Sequence, residues 1–222
     1  MEQTLHAVIK NHFEPDKTKQ EIKIGNFIAD IVANDKIIEI QTRGFIKLRS
    51  KLEFYLDRYL VTIVYPIPRH KWLIWIDPIT EEVTKKRKSP RTGRITDAII
   101  ELYSIKSFLA HQNLRFCLLF VDVEEYRFLD GWGDDKKRGS TRFNRVPVSI
   151  VEEIYLDNAN DYAIFIPDSL PEQFTSKDYK ISAKTDLTTS RTALNILNHL
   201  GTIKRVGKQG NSYVYERSVI AT

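Results

Sequence analysis

Phe27-Ile28-Ala29-Asp30-Ile31-Val32-Ala33-Asn34-Asp35-Lys36-Ile37-Ile38-Glu39-Ile40-Gln41 is the stretch whose reading sets the fold. Two runs rich in β-branched residues flank the turn signal Asn34-Asp35, which predicts a strand from Phe27 to Val32 and another from Lys36 to Gln41. Alternate side chains of a strand share a face, so Glu39 and Gln41 point together while Ile38 and Ile40 point away. Pairing of the two strands as a hairpin brings Asp30 beside Glu39.

Outward from this stretch the pattern continues. Glu21-Ile22-Lys23-Ile24 alternates and ends at the turn signal Gly25-Asn26. Leu5, Val8, Ile9 and Phe13 recur at helical spacing, so residues 3–13 read as an amphipathic helix closed by Pro15. Downstream, Ile46, Leu48, Leu52, Tyr55, Leu56 and Tyr59 mark a helix, and Leu60 to Tyr65 a strand. Lys71 to Ile76 reads as a strand, Ile95 to Ala110 as a helix and Leu114 to Val123 as a long buried strand. Helix, antiparallel strands, helix and strand in this order describe an α/β layer with a central mixed sheet. Tyr65, Trp72 and Trp75 fall on strands and read as core. Two basic loops interrupt the elements, Lys85 to Arg94 and Lys136 to Arg142.

The chain has 222 residues and a formal charge of +5, enough for one large and one small domain and biased towards a polyanionic partner. Pro167 and Pro171 mark a linker, dividing the chain into residues 1–170 and 171–222. Cys117, the single cysteine, sits in an apolar run, which excludes a disulfide framework or a cysteine zinc site within one chain. No segment approaches the about 20 apolar residues that cross a bilayer, and no signal sequence opens the chain. The expectation is a cytoplasmic protein with no membrane partner.

Two carboxylates held close repel one another unless a proton or a cation intervenes, and Mg²⁺ prefers oxygen ligands. Asp30 and Glu39 are therefore candidate metal ligands, with Mg²⁺ or Mn²⁺ activating water for attack on a phosphodiester and Gln41 orienting it. The plainer alternative makes Asp30 and Glu39 the polar face of an exposed hairpin. His6 reads as a half-buried helical histidine, and Lys10 as a cation that neutralises nearby acidic residues.

Asp30 followed by Glu39-Ile40-Gln41, after a helix carrying Glu2, His6 and Lys10 and a strand opening at Glu21, resembles the PD-(D/E)XK nuclease superfamily. The closer resemblance is to its CoiA-like branch, in which glutamine stands for the usual lysine. It spans roughly residues 1–65 and implies a restriction-endonuclease-like mixed sheet flanked by helices. It further implies Asp30 and Glu39 as metal ligands, Gln41 in place of the catalytic lysine, assistance from Glu2 or Glu21, and a homodimer. A glutamine cannot stabilise a developing anion as a lysine does, so an inactive nuclease fold serving as a DNA-binding regulator is the alternative.

From Thr175 to the end, eight Lys or Arg face three Asp or Glu, a local excess as large as that of the whole chain. Thr175-Ser176 caps a helix from Lys177, and Thr188-Thr189 caps a second reaching about Leu200 before Gly201. Two short strands joined by Gly207-Lys208-Gln209-Gly210-Asn211 follow. This order resembles a winged-helix domain. Its double-stranded DNA contacts are expected from Thr188, Thr189, Ser190 and Arg191 on the second helix and from Lys204, Arg205 and Lys208 on the hairpin, with Arg191 reading a base edge. A winged helix used for protein contact is the alternative.

Overall fold

The computed structural model describes residues 4–130 and 141–218. Glu2 and the Lys136 to Ser140 part of the second basic loop lie outside the described residues. The chain runs through α1 (Thr4–Phe13), β1 (Gln20–Ile24), β2 (Phe27–Ala33), β3 (Lys36–Ile40), α2 (Arg49–Tyr55) and β4 (Leu60–Ile76). There follow β5 (Arg87–Lys88), α3 (Ile99–Ser104), β6 (Leu114–Phe128) and β7 (Arg142–Leu156). The last elements are β8 (Gln173–Phe174), α4 (Ser176–Ser182), α5 (Leu187–His199), β9 (Ile203–Gln209) and β10 (Ser212–Arg217).

One seven-stranded sheet has the order β1-β2-β3-β4-β6-β7, with β5 paired to β4, and a three-stranded sheet has the order β8-β10-β9. The larger sheet is mixed. β1 and β2 are antiparallel, with Ile22 opposite Ala29, and β3 and β4 are parallel, with Glu39 opposite Ile63. The class is α/β with a large mixed sheet flanked by helices, as the order of elements predicted. Among the described residues no helix is long and apolar enough to cross a membrane.

By its internal contacts the chain divides into two compact units that interleave along the sequence: Met1–Val32, Pro66–Arg94 and Leu119–Glu153 form the first, and Ala33–Tyr65, Ile95–Leu118 and Ile154–Thr222 the second. In the first unit α1 buries Leu5 and Ile9, β2 buries Ala29 and Ile31, and β6 buries Val121 and Val123 on one face. Burial of each such aliphatic side chain contributes about 1.5–3 kcal/mol. The loop expected from Lys85 to Arg94 is exposed, but β5 within it pairs with Trp72 and Leu73. Its end is fastened by Gly93, whose amide donates to the Pro68 and Arg69 carbonyls at 3.0 and 3.2 Å.

In the second unit the β3-to-β4 crossover is a 3-10 turn, Phe45–Leu48, running into α2, shorter than the single helix the periodicity predicted. Phe45 is fully buried, stacks edge-on to Tyr65 at 5.4 Å, and its amide donates to Glu101 Oε2 at 2.8 Å. Cys117 is buried. Tyr179 of α4 is buried and its hydroxyl donates to the Phe165 carbonyl at 2.7 Å.

Both C-terminal helices start on side-chain caps. Thr175 and Asp178 form a reciprocal capping box on α4. For α5 the cap is Asp186 rather than Thr188-Thr189: Asp186 accepts from the Thr189 amide at 2.8 Å and from its hydroxyl at 2.6 Å. After Leu200, Gly201 adopts φ +77°, the left-handed conformation that ends a helix without a Cβ penalty.

Candidate functional site

The polar residues singled out by the sequence are divided between the units. Glu21 and Asp30 belong to the first, Glu39 and Gln41 to the second. Each is engaged by a neighbouring polar group.

Asp30, at the middle of β2, receives His6 from α1, with Nε2 3.2 Å from Oδ2. Helical spacing places Leu5 and Ile9 in the core and turns His6 towards the strand, so the half-buried histidine is a partner of Asp30. Glu21 is paired as well. Lys10, only 2% exposed, reaches it with Nζ 2.7 Å from Oε1, which is the neutralising role its position predicted.

Glu39 lies on the buried side of β3 with Ile37 and is 2% exposed. Both of its oxygens accept from Lys51 of α2, at 3.0 and 2.8 Å. A carboxylate withdrawn from water is tolerated when a cation meets it with good geometry, and here the crossover helix supplies that cation. Gln41, just past β3, turns its side-chain amide onto the Arg43 carbonyl at 2.6 Å. Lys51 was not singled out in the sequence, because it lies on a helix twelve residues after Glu39 and no periodicity links the two.

A resident Mg²⁺ needs carboxylate oxygens with open faces. Both acceptors of Glu39 carry an ammonium, and among the described residues no group of three or more His, Cys, Asp or Glu is placed to hold a metal ion. A divalent ion at this carboxylate would compete with Lys51 for its oxygens. What it offers is a fixed carboxylate with an ammonium that remains a quarter exposed, and a histidine oriented by an aspartate.

The C-terminal elements present a different surface. Along α5, Thr188, Arg191, Asn195 and Asn198 are exposed in one stripe, opposite the buried Ala193, Leu194 and Leu197. Ser190 falls on the inner side, fully buried, with its hydroxyl donating to the Asp186 carbonyl at 2.6 Å. Thr189 is occupied by the cap. On β9 every residue from Lys204 to Gln209 is exposed. The Arg205 guanidinium lies 3.5 Å over the Tyr213 ring and Lys208 5.1 Å from its centre, so both cations are braced on one aromatic of β10.

Trp72 and Trp75 are half-buried rather than core. Lys86 and Lys88 lie over the Trp72 ring at 4.7 and 5.9 Å, and Arg127 lies 6.0 Å from Trp75. Their alternation resembled that of core strands, but the cations that cover them come from distant segments.

A family model described as a domain of unknown function, DUF8091, matches residues 3–157. The chain belongs to the DUF8091 family. The matched stretch of this DUF8091 protein contains Asp30, Glu39 and Lys51 and ends before the β8 to β10 elements. An uncharacterized protein of Treponema pallidum (strain Nichols) is 26% identical over 222 residues, covering 96% of this chain and 84% of that protein. No solved structure matches.

Proposed function

We propose that this protein binds double-stranded DNA through the exposed stripe of α5 and the β9–β10 hairpin, with residues 171–222 acting as a winged-helix module. The observation that carries this reading is the run of exposed residues from Lys204 to Gln209 in the same unit as the exposed polar stripe of α5. The element order β8-α4-α5-β9-β10 and the strand order β8-β10-β9 support it, since a winged helix sets its second helix into the major groove and its hairpin along the backbone. Arg191 reads a base edge, Thr188 and the cations Lys204, Arg205 and Lys208 hold phosphates, and the partner is duplex DNA in the cytoplasm.

The test is the salt dependence of duplex binding, measured by fluorescence anisotropy on wild type, Arg191→Ala and Lys208→Ala. Loss of one phosphate contact at Lys208 lowers the slope of log affinity against log salt by about one. Loss of Arg191 relaxes preference at one base position. A slope unchanged in Lys208→Ala, with no change of sequence preference in Arg191→Ala, overturns the reading.

A second reading, phosphodiester hydrolysis with Glu39 as the carboxylate on a restriction-endonuclease-like domain, is favoured by the Glu39–Lys51 pair, because Lys51 brings to this carboxylate the positive charge that Gln41 lacks. Supercoiled plasmid incubated with Mg²⁺ or Mn²⁺ tests it. Nicking by wild type that disappears in Asp30→Ala and Glu39→Ala supports hydrolysis; duplex binding without nicking in either metal leaves the protein a DNA-binding regulator.

A further inference from the structure

We propose that Lys85, Lys86, Arg87 and Lys88, a cationic segment laid along β4 in the first unit, bind the phosphodiester backbone of a nucleic acid without regard to base sequence. The surface uses no residue of α5 or of the β9–β10 hairpin, so the two are tested separately.

Four consecutive cations repel one another, and local preference alone would make them a solvated loop. Here the backbone is fixed along its length. Val83 bridges to Ile76, and Arg87 and Lys88 pair with Leu73 and Trp72. The segment therefore follows β4 almost residue for residue, which keeps it extended. The Thr84 amide donates to the Trp75 carbonyl at 2.9 Å before the run, and the Ser89 amide to the Lys71 carbonyl at 2.7 Å after it.

The side chains divide between two sides of this strand. Lys86 and Lys88 lie over the Trp72 ring, and Lys86 also reaches Glu124, with Nζ 2.6 Å from Oε1. Strand alternation turns Arg87 away from the side that Lys88 takes. All four residues are exposed. Among the described residues Lys85 and Arg87 meet no carboxylate, and the Lys88 ammonium meets only the indole. One carboxylate, Glu124, thus faces four cations. Because β4 holds their backbone in place before any encounter, a ligand has little chain freedom to remove.

Spacing identifies the ligand. An extended segment advances about 3.3 Å per residue, close to the about 3.4 Å of axis per phosphate in one strand of a duplex. A row of single negative charges at that pitch, the same whatever the bases, is the nucleic-acid backbone. An anionic bilayer is the other extended polyanion, and the neighbouring turn disfavours it. Ile79, 90% exposed, is the side chain there that would enter lipid. Asp77, Glu81 and Glu82 flank it with charges that an anionic surface repels.

The full chain is titrated against a fluorescent duplex at several salt concentrations and followed by anisotropy. Each phosphate neutralised contributes about 0.9 to the slope of log affinity against log salt, so Lys85→Gln/Arg87→Gln should lower the slope by about two. The same drop is expected on a shuffled sequence and in a Lys208→Ala background. The variant keeps the wild-type melting temperature, since β5 pairs through its backbone and neither side chain holds another described group. A lowered slope in Lys85→Gln/Arg87→Gln with none in Lys208→Ala keeps this surface and sinks the hairpin contact; the reverse result overturns this surface alone. A slope unchanged in Lys85→Gln/Arg87→Gln, or a loss confined to one sequence, overturns it. So does a loss seen only in binding to vesicles of phosphatidylcholine and phosphatidylglycerol.

Discussion

Lys51 Nζ closes both acceptors of Glu39, 2.8 Å from Oε2 and 3.0 Å from Oε1, on a residue only 2% exposed. Breaking such a pair from one side is far worse than never having made it, because the remaining charge stays in a poor solvent. Lys51→Met should lower unfolding stability by about 3–5 kcal/mol in a urea titration. The double variant Glu39→Gln/Lys51→Met should recover a large part of the loss. A single-variant loss below about 1 kcal/mol would place the pair with ordinary surface ion pairs.

Glu125 carries a pH signature. Burial alone raises a carboxyl group, but hydrogen bonds and charge from Arg145, then Arg127 and Lys71, bring Glu125 from 4.5 to about 2. A depressed folded value means that the stabilisation is present above the unfolded carboxylate value and is lost as pH falls towards about 2. The shift corresponds to about 3 kcal/mol. Stability measured by denaturant titration at successive pH values should fall between roughly pH 5 and pH 2 in wild type, and less steeply in Glu125→Gln. Identical profiles would remove Glu125 as a source of acid sensitivity.

Gly93 lies against the middle of β4. A Cβ there would meet the Pro68 carbonyl oxygen at 2.3 Å and Ile67 Cγ2 at 2.7 Å. Gly93→Ala should therefore destabilise by about 1–3 kcal/mol through backbone displacement. Gly207→Ala, where nothing lies within 4 Å of the added atom, should stay within about 0.5 kcal/mol of wild type. Equal melting temperatures for the two variants would refute the close approach.

Tyr179 tests the coupling of α4 to the segment before it. Tyr179→Phe keeps the ring and deletes the donor to the Phe165 carbonyl. A loss of about 1–3 kcal/mol is expected, since a buried acceptor forfeits its partner. Thermal melts of the two proteins decide it, and a difference within error would mean that water replaces the hydroxyl.

The early strands were readable because each obeys one simple pattern, alternation ended by Gly25-Asn26 or Asn34-Asp35. β4 was harder. The sequence predicted two strands, Leu60 to Tyr65 and Lys71 to Ile76, yet one strand, β4, runs unbroken through Pro66 and Pro68 from Leu60 to Ile76. Residues two apart direct their backbone nitrogens to the same edge, so both prolines remove donors from one side only, and the Pro68 carbonyl still accepts from Gly93. β7 escaped notice because exposed and half-exposed residues such as Val148, Ile150 and Val151 fall on both faces, which erases the alternation. The site residues divide in the same way. Asp30 and Glu39 stood out as charges within apolar strands, whereas Lys51 beside Glu39, and Arg142 and Arg145 beside Glu125, are brought in by chain crossings that local spacing does not encode.

In the smaller sheet β9 is an outermost strand, with β10 as its one strand neighbour among the described residues. Such a border invites another chain to add on, and lysine is a common safeguard against it. Lys204, Arg205 and Lys208 thus discourage stacking of one molecule on the next through mutual repulsion. Loss of those charges, by acetylation of the lysines or replacement with serine, would convert a solubilising border into an adhesive one.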